Sequence, residues 1–219
     1  MILGLLKEYG KETRVALLPE TVKAFTDLKV EVLVEQGAGE TAFAADADYE
    51  AVGAKVVARK DLFAKAEVLL QIQPPADGDT KKIRDSQVWI SAFNPLWDTT
   101  LVKTFLDRGI TTFSLDLIPR TTRAQAMDIL SSMATVSGYM AVLEAASKLP
   151  TFFPMFMTAA GTIRPANVLI LGAGVAGLQA IATSRKLGAQ VQVFDVRSAV
   201  KEEVMSLGGK FVEVEGATE

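Results

Sequence analysis

The chain has 219 residues, with 23 Lys+Arg against 26 Asp+Glu and a formal net charge of −3, which leaves no basic footprint for nucleic acid or an anionic membrane surface. Its 49% hydrophobic and 22% charged residues are those of a globular protein able to bury a core, of one to two domains at about 150 residues each. Cys and His are both absent, which excludes disulfides, thiolate chemistry, the usual zinc sites and His-activated nucleophiles, so chemistry must come from carboxylates, Lys, Arg, hydroxyls or a bound cofactor.

Met1 to Leu6 is apolar for only six residues before Lys7 and Glu8, too short for the core of a secretory signal, and reads as a first strand. Further strands are expected at Glu31 to Glu35, Ala54 to Ala58, Val68 to Gln73, Gln87 to Phe93 and Thr111 to Leu117. Between them lie helix signals. Pro19-Glu20 opens one helix with proline in its first turn, and Asp98-Thr99-Thr100 caps another that ends before Gly109. Such alternation predicts a mostly parallel sheet covered on both faces, with residues 1–125 as an N-terminal α/β domain.

From Thr122 to Leu149 there is no Pro and only Gly138 interrupts. Ile129, Met133, Val136, Met140 and Leu143 recur at spacings of four, three, four and three, one apolar helical stripe. A helix of this length is expected to bridge two domains, an ordinary crossover helix being the alternative, and Tyr139 on it is expected in the core. Pro150 ends it. Thr151 to Arg164 then reads as a loop whose Phe152, Phe153, Met155, Phe156 and Met157 have to pack against something, as an interdomain or subunit contact. Residues 126–163 form the linking segment on this reading.

Pro165 to Ser184 carries no charge for twenty residues, long enough for a membrane span, but Asn167, Gln179, Thr183, Ser184, a proline and three glycines argue against insertion. The glycines have another use. Val168 to Leu171 reads as a strand, Gly172-Ala173-Gly174-Val175-Ala176-Gly177 follows at once, a helix runs from Val175 to Leu187, and Gln190 to Val196 is the next strand. Asp195 near its end lies 21 residues beyond Gly174. Strand, glycines, helix, strand and terminal acid in one such unit are a dinucleotide-binding signature.

Each part has a physical reason. Gly172 allows the tight turn, Gly174 lets a pyrophosphate approach with no Cβ in the way, and Gly177 lets the helix pack close to the strand. The N–H groups around Ala173, Gly174 and Val175, with the positive end of the helix dipole, are expected to hold the phosphates. Asp195 can accept hydrogen bonds from the adenosine ribose and repel a 2′-phosphate, so NAD(H) is favoured over NADP(H), and Val196 is counted with the cofactor-binding residues. Arg197 either flanks the adenosine pocket or is a solvated loop cation. A glycine turn that binds nothing is the plainer alternative for the whole motif. A short helix from Lys201 to Leu207 and a third strand from Lys210 to Val214 complete residues 164–219, half of a Rossmann domain, and the chain reads as a fragment.

Several motifs together resemble the alanine dehydrogenase and nicotinamide nucleotide transhydrogenase group. They are Lys7-Glu8, Arg14-Val15-Ala16-Leu17-Leu18-Pro19, Glu35-Gln36-Gly37-Ala38-Gly39, the glycine turn with Asp195-Val196-Arg197, and the segment from Pro119 to Ser132. That last segment looks like the Arg-Gln-Asp loop of the NAD(H)-binding domain of proton-translocating transhydrogenase. The resemblance implies that Arg120, Gln125, Asp128 and Ser131 act on the nicotinamide and its ribose, with Thr121 and Thr122 among the cofactor contacts. Taken as one helix at 100° per residue, Gln125, Asp128 and Ser131 span about 120° of a single face and can address one ligand. A solvated cap, with Asp128 and Arg123 as surface charges, is the alternative.

Departures within the group select a branch. The resemblance places a catalytic Lys of alanine dehydrogenases in the stretch where this chain has Gln71-Ile72-Gln73, and their catalytic His where it has Asn94. Oxidative deamination needs proton transfers at the amino acid, whereas hydride exchange between two nicotinamides needs none, so the missing groups favour transhydrogenation. Arg14, which matches a substrate-carboxylate residue of the dehydrogenases, is then an inherited structural cation. The resemblance implies two Rossmann-like α/β domains, the second truncated, joined by a long helix. It also implies a homodimer, NADP(H) on a partner domain III, a separate membrane domain, and a peripheral place on the cytoplasmic side of a bacterial inner membrane, or the matrix side in mitochondria. An amino acid dehydrogenase and a non-catalytic NAD-sensing domain are the alternatives.

Overall fold

The computed structural model describes residues 1–76, 78–214 and 216. The last residues of the expected 164–219 segment, Glu215 and Ala217 to Glu219, lie outside them. The chain divides into two compact units, Met1–Asp128 and Ile129–Glu219.

In the first unit β1 (Ile2–Leu5), α1 (Pro19–Asp27), β2 (Glu31–Glu35), α2 (Asp46–Ala51), β3 (Lys55–Val57), α3 (Arg59–Lys65), β4 (Val68–Leu70), β5 (Val88–Ser91), α4 (Thr99–Asp107) and β6 (Thr111–Ser114) follow one another. Their strands form one parallel sheet in the order β3-β2-β1-β4-β5-β6, with Leu3 opposite both Val32 and Val68. The expected six strands are thus all present, each within a few residues of its expected bounds. Successive residues of a strand buried on both faces go to different cores. Val32 and Val34 join Leu5, Val22 and Tyr49 on one side, while Leu33 joins Leu62, Leu69 and Trp89 on the other. Proline occupies the first turn of α1, and Asp98 caps α4 by accepting from Leu101 N–H at 3.0 Å.

The second unit holds α5 (Ile129–Lys148), β7 (Phe156–Thr158), β8 (Gly161–Ile163), β9 (Asn167–Leu171), α6 (Val175–Lys186), β10 (Gln190–Phe194), α7 (Lys201–Ser206) and β11 (Lys210–Phe211). The sheet β11-β10-β9 is parallel, in the winding expected of half a dinucleotide fold. Ile181, Val191, Val193 and Val204 form its core on the α6 side, while Leu169 and Leu171 on the opposite face are exposed.

Three expectations need correction here. Thr122 to Leu149 is not one helix: Thr122–Met127 is a 3-10 helix, Asp128 is extended at φ −76° and ψ 95°, and α5 starts at Ile129. Asp128 occupies the position before the first helical residue, where an Asp with extended backbone is favoured.

The apolar stripe is not the buried face of α5 either. Met133, Val136 and Met140 are exposed, as is Tyr139 at 45%, and the buried residues are Gly138 and Val142. A Cβ at Gly138 would overlap the Ala176 carbonyl, so small size and not hydropathy selects the face that meets α6. By length and composition α5 is the one helix among the described residues that could cross a bilayer. The charge-free stretch Pro165 to Ser184 is instead divided between β9, a turn and α6.

Finally, Thr151 to Arg164 is not an irregular loop. Phe153 alone among its large side chains is buried, and the rest becomes an exposed antiparallel hairpin, β7–β8, with Phe152 edge-on to Phe156 at 4.6 Å. Ala166 N–H donates to the Phe153 carbonyl at 3.0 Å and closes the hairpin at its base.

Candidate functional site

In the first unit the polar groups gather where β1, β4, β5 and β6 end. Glu8, buried just after β1, accepts from the N–H groups of Ile72 (2.6 Å) and Gln73 (3.1 Å) after β4, and burial pushes its carboxyl up from the ordinary range. Gln73 accepts from Tyr9 N–H at 3.3 Å. Asn94, in the left-handed region at φ +50°, donates its N–H to Asp116 at 3.4 Å.

Arg14 is tied to Glu12, its Nε and Nη2 donating at 2.8 and 2.6 Å. These bonds hold the Glu12 carboxyl down at about 2, against 4.5 ordinarily. A depressed folded-state value stabilises the fold above the ordinary value and loses that contribution as pH falls from about 4.5 towards 2. An NMR titration is expected to find the Glu12 midpoint at about 2, returning towards 4.5 in Arg14→Ala; an unchanged midpoint would show that Arg14 does not hold it.

Past β6 a 3-10 turn, Leu115–Leu117, leads to Arg120. Thr121 N–H donates to Pro119 O at 2.9 Å and Ala124 N–H to Thr121 O at 2.9 Å, winding the segment into the 3-10 helix with Thr122 and Gln125 exposed. Its far end brings Asp128 back to Arg120: Nε and Oδ2 are 4.0 Å apart. Asp128 is buried, so it is not the surface charge of the alternative reading, while Arg120 remains open to solvent. The single helical face expected for Gln125, Asp128 and Ser131 is therefore replaced by a turn, an extended residue and the first turn of α5. Ser131, half-buried, belongs to the second unit, where its carbonyl accepts from the Thr135 hydroxyl at 3.1 Å.

In the second unit Gly172, at φ +96°, makes the turn after β9 and is fastened to β10 by its N–H on the Phe194 carbonyl at 2.8 Å. A Cβ at Gly174 would meet open space, whereas one at Gly177 would overlap the Gly172 carbonyl oxygen. Gly177 thus lets α6 close on the turn itself. The first helical bond there is Leu178 N–H to Gly174 O at 2.8 Å, so the N–H groups of Val175 to Gly177 precede the hydrogen-bonded ladder at the positive end of α6. An open cradle of N–H groups at the positive end of a twelve-residue helix fits a dinucleotide pyrophosphate.

The Ala173 N–H is not free for phosphate. It donates to Asp195 Oδ2 at 2.7 Å, so Asp195, just past β10, braces the glycine turn. Arg197 adds three bonds: its backbone N–H and Nε reach Oδ1 at 2.9 and 3.0 Å, and Nη2 reaches Oδ2 at 3.0 Å. Hydrogen bonds from Arg197 first, then from Ala173 N–H, hold the Asp195 carboxyl far below the usual carboxylate range. Val196 between them is exposed. Sequence reasoning missed this clamp, the Arg120–Asp128 pair and the brace by Glu8. The first had a signal in the Asp-x-Arg spacing; the other two close only in three dimensions.

Comparison with known proteins agrees with both units. The family model described as alanine dehydrogenase/PNT, N-terminal domain, matches residues 4–137, and its C-terminal counterpart matches residues 141–219. An NAD(P) transhydrogenase alpha-subunit chain of Rhodospirillum rubrum is 45% identical over 210 residues, covering 93% of this chain and 55% of that protein. Alanine dehydrogenase of Mycobacterium tuberculosis is 30% identical over 191 residues, covering 85% of this chain and 51% of that protein. A crystal structure of transhydrogenase from Sinorhizobium meliloti superposes with a TM-score of 0.93 at 43% identity, over 97% of this chain and 64% of that one. The chain spans about half the length of the two curated relatives. With both family models matched along nearly all its length, and parallel α/β units beneath them, the chain belongs to the alanine dehydrogenase/PNT family.

Proposed function

We propose that this chain is the NAD(H)-binding component of a proton-translocating NAD(P) transhydrogenase. It binds NADH and presents the dihydronicotinamide for direct hydride transfer to NADP+ on a separate domain. The observation that carries this reading is the open glycine cradle on β9 and α6, braced by Asp195 at the end of β10. Gly172, Gly174, Val175 and Gly177 form the pyrophosphate seat, with Ala173 holding it to Asp195, and Val196 and Arg197 border the adenosine. Arg120, Thr121, Thr122, Gln125, Asp128 and Ser131 hold the nicotinamide end. Bound NADH supplies the hydride; the residues of this chain orient its ring and exclude water, with no acid or base required.

The absence of His from the chain, and Gln73 and Asn94 in place of titratable groups, support this reading over an amino acid dehydrogenase. The similarity to the Rhodospirillum rubrum alpha-subunit chain supports partner subunits, which on this reading carry the NADP-binding domain and a proton-translocating membrane domain. The exposed side chains of β7–β8 support pairing with a second copy. The chain is read as peripheral to the membrane, on the cytoplasmic side in a bacterium.

Fluorescence titration of the protein that carries this chain is expected to find NADH bound more tightly than NADPH. Asp195→Ala is expected to weaken NADH about tenfold, close to 1.4 kcal/mol, by releasing the Ala173 N–H and with it the glycine turn that the carboxylate braces. Equal affinities for the two nucleotides in the unmodified protein would sink the reading.

A further inference from the structure

The corner after β10 presents to solvent the opposite charge from the one the sequence suggests. Asp195 is 5% exposed and its two oxygens are taken up by Ala173 N–H and by Arg197, whereas the Arg197 side chain is 59% exposed. A guanidinium fork is well shaped for a phosphate, and this one stands where an adenosine ribose would lie. Resting on the nucleotide-site reading above, the geometry points to Arg197 as a dormant receptor for a nucleotide 2′-phosphate, kept from acting by the carboxylate of Asp195.

Several observations favour this arrangement over rejection by the Asp195 charge alone. Nε and Nη2, two of the donors a phosphate would use, are already on Asp195 at 3.0 Å each. A phosphate that displaced the carboxylate would find it still beside the site, because Ala173 N–H pins Oδ2 at 2.7 Å and Arg197 N–H pins Oδ1 at 2.9 Å. The carboxyl also stays ionised, since the same bonds hold it far below its ordinary range, so protonation brings no relief. The cation therefore lends the phosphate no net attraction while Asp195 is charged. Without that charge the fork is released in place. Specificity on this view belongs to the pair, and Asp195 acts on NADP(H) largely through its neighbour.

The test is equilibrium titration with NADH and with NADPH, at low and at physiological ionic strength. Asp195→Asn keeps an oxygen for Ala173 N–H and removes the charge. It is expected to raise NADPH affinity by about tenfold or more, with the gain shrinking as salt screens the new contact. The gain is expected to vanish in Asp195→Asn combined with Arg197→Ala. Arg197→Ala alone is expected to lower NADPH affinity, because it leaves the carboxylate uncompensated, and this arm does not depend on how well the Asn variant folds. A gain that survives in the double variant, or NADPH affinity unchanged by Arg197→Ala, overturns the inference and leaves the nucleotide site intact. Failure of the unmodified protein to bind NADH would instead overturn the reading on which it rests.

Discussion

Arg120→Ala and Asp128→Asn are each expected to slow hydride transfer about 100-fold while weakening NADH binding far less, since a ring misplaced by about 1 Å costs on the order of that factor. The seat proposed for pyrophosphate and adenosine consists of Gly172 to Gly177 and Asp195, which neither substitution touches. The nicotinamide end is proposed to rest on the segment after β6, where Arg120 Nε and the buried Asp128 lie 4.0 Å apart. Asp128→Asn keeps the shape and removes the charge; Arg120→Ala keeps the charge and removes the cation facing it. Single-turnover transfer to an NADP-loaded partner domain, with NADH titration on the same preparations, separates the two effects. Normal transfer in both variants would make the pair structural. If the unmodified protein binds NADH and passes no hydride to the partner, the NAD-sensing alternative is correct.

Gly177→Ala is expected to cost the second unit about 3 kcal/mol, at the upper end for overpacking and a large part of a small domain's stability. The new methyl would overlap the Gly172 carbonyl, and that atom cannot rotate aside, because the other end of its peptide plane, the Ala173 N–H, is fixed to Asp195. Either the turn opens or α6 shifts off β9, and a fall in melting temperature of roughly 10 °C or more follows. Gly174→Ala is the matched control. Its Cβ points into open space and its φ of −80° suits any residue, so the fold is expected to melt normally. The methyl would occupy the phosphate's approach, and NADH affinity is expected to drop at least tenfold. An early melt for Gly174→Ala, or normal NADH binding by it, would break this division of labour between the two glycines.

Those glycines were legible in the sequence because each answers a backbone requirement of a turn that strand, helix and terminal acid already framed. The strands of the first unit were legible for a similar reason: short apolar runs set between Pro19, Asp98 and Gly109 leave few ways to alternate. The break at Asp128 was not. The stripe from Ile129 to Leu143 has a clear period, but Thr122 to Met127 has none, and extending the helix backwards over it joined two different conformations. The orientation of α5 was hidden because hydropathy ranks Met133, Val136 and Met140 above Gly138, while close packing on Ala176 ranks them by volume. At Asp195 the residue type and the nearby Arg197 were legible, but the backbone donors were not, since Ala173 N–H comes from the glycine turn and Arg197 N–H from the bend after β10.

The closed base of the β7–β8 hairpin has a consequence for engineering. Ala166 is bonded to Phe153, Phe153 is buried, and Pro154 rests against Gly188, so both ends of the arm are anchored before β9 begins. Residues added at its tip, between Ala159 and Ala160, would lengthen the ribbon without changing the register of β9 or the seat of the glycine turn. Each doubling of such a loop costs only about 0.6 kcal/mol in closure entropy. An epitope inserted at the tip would therefore leave the fold intact, and its access to an antibody would report whether a second copy covers the arm.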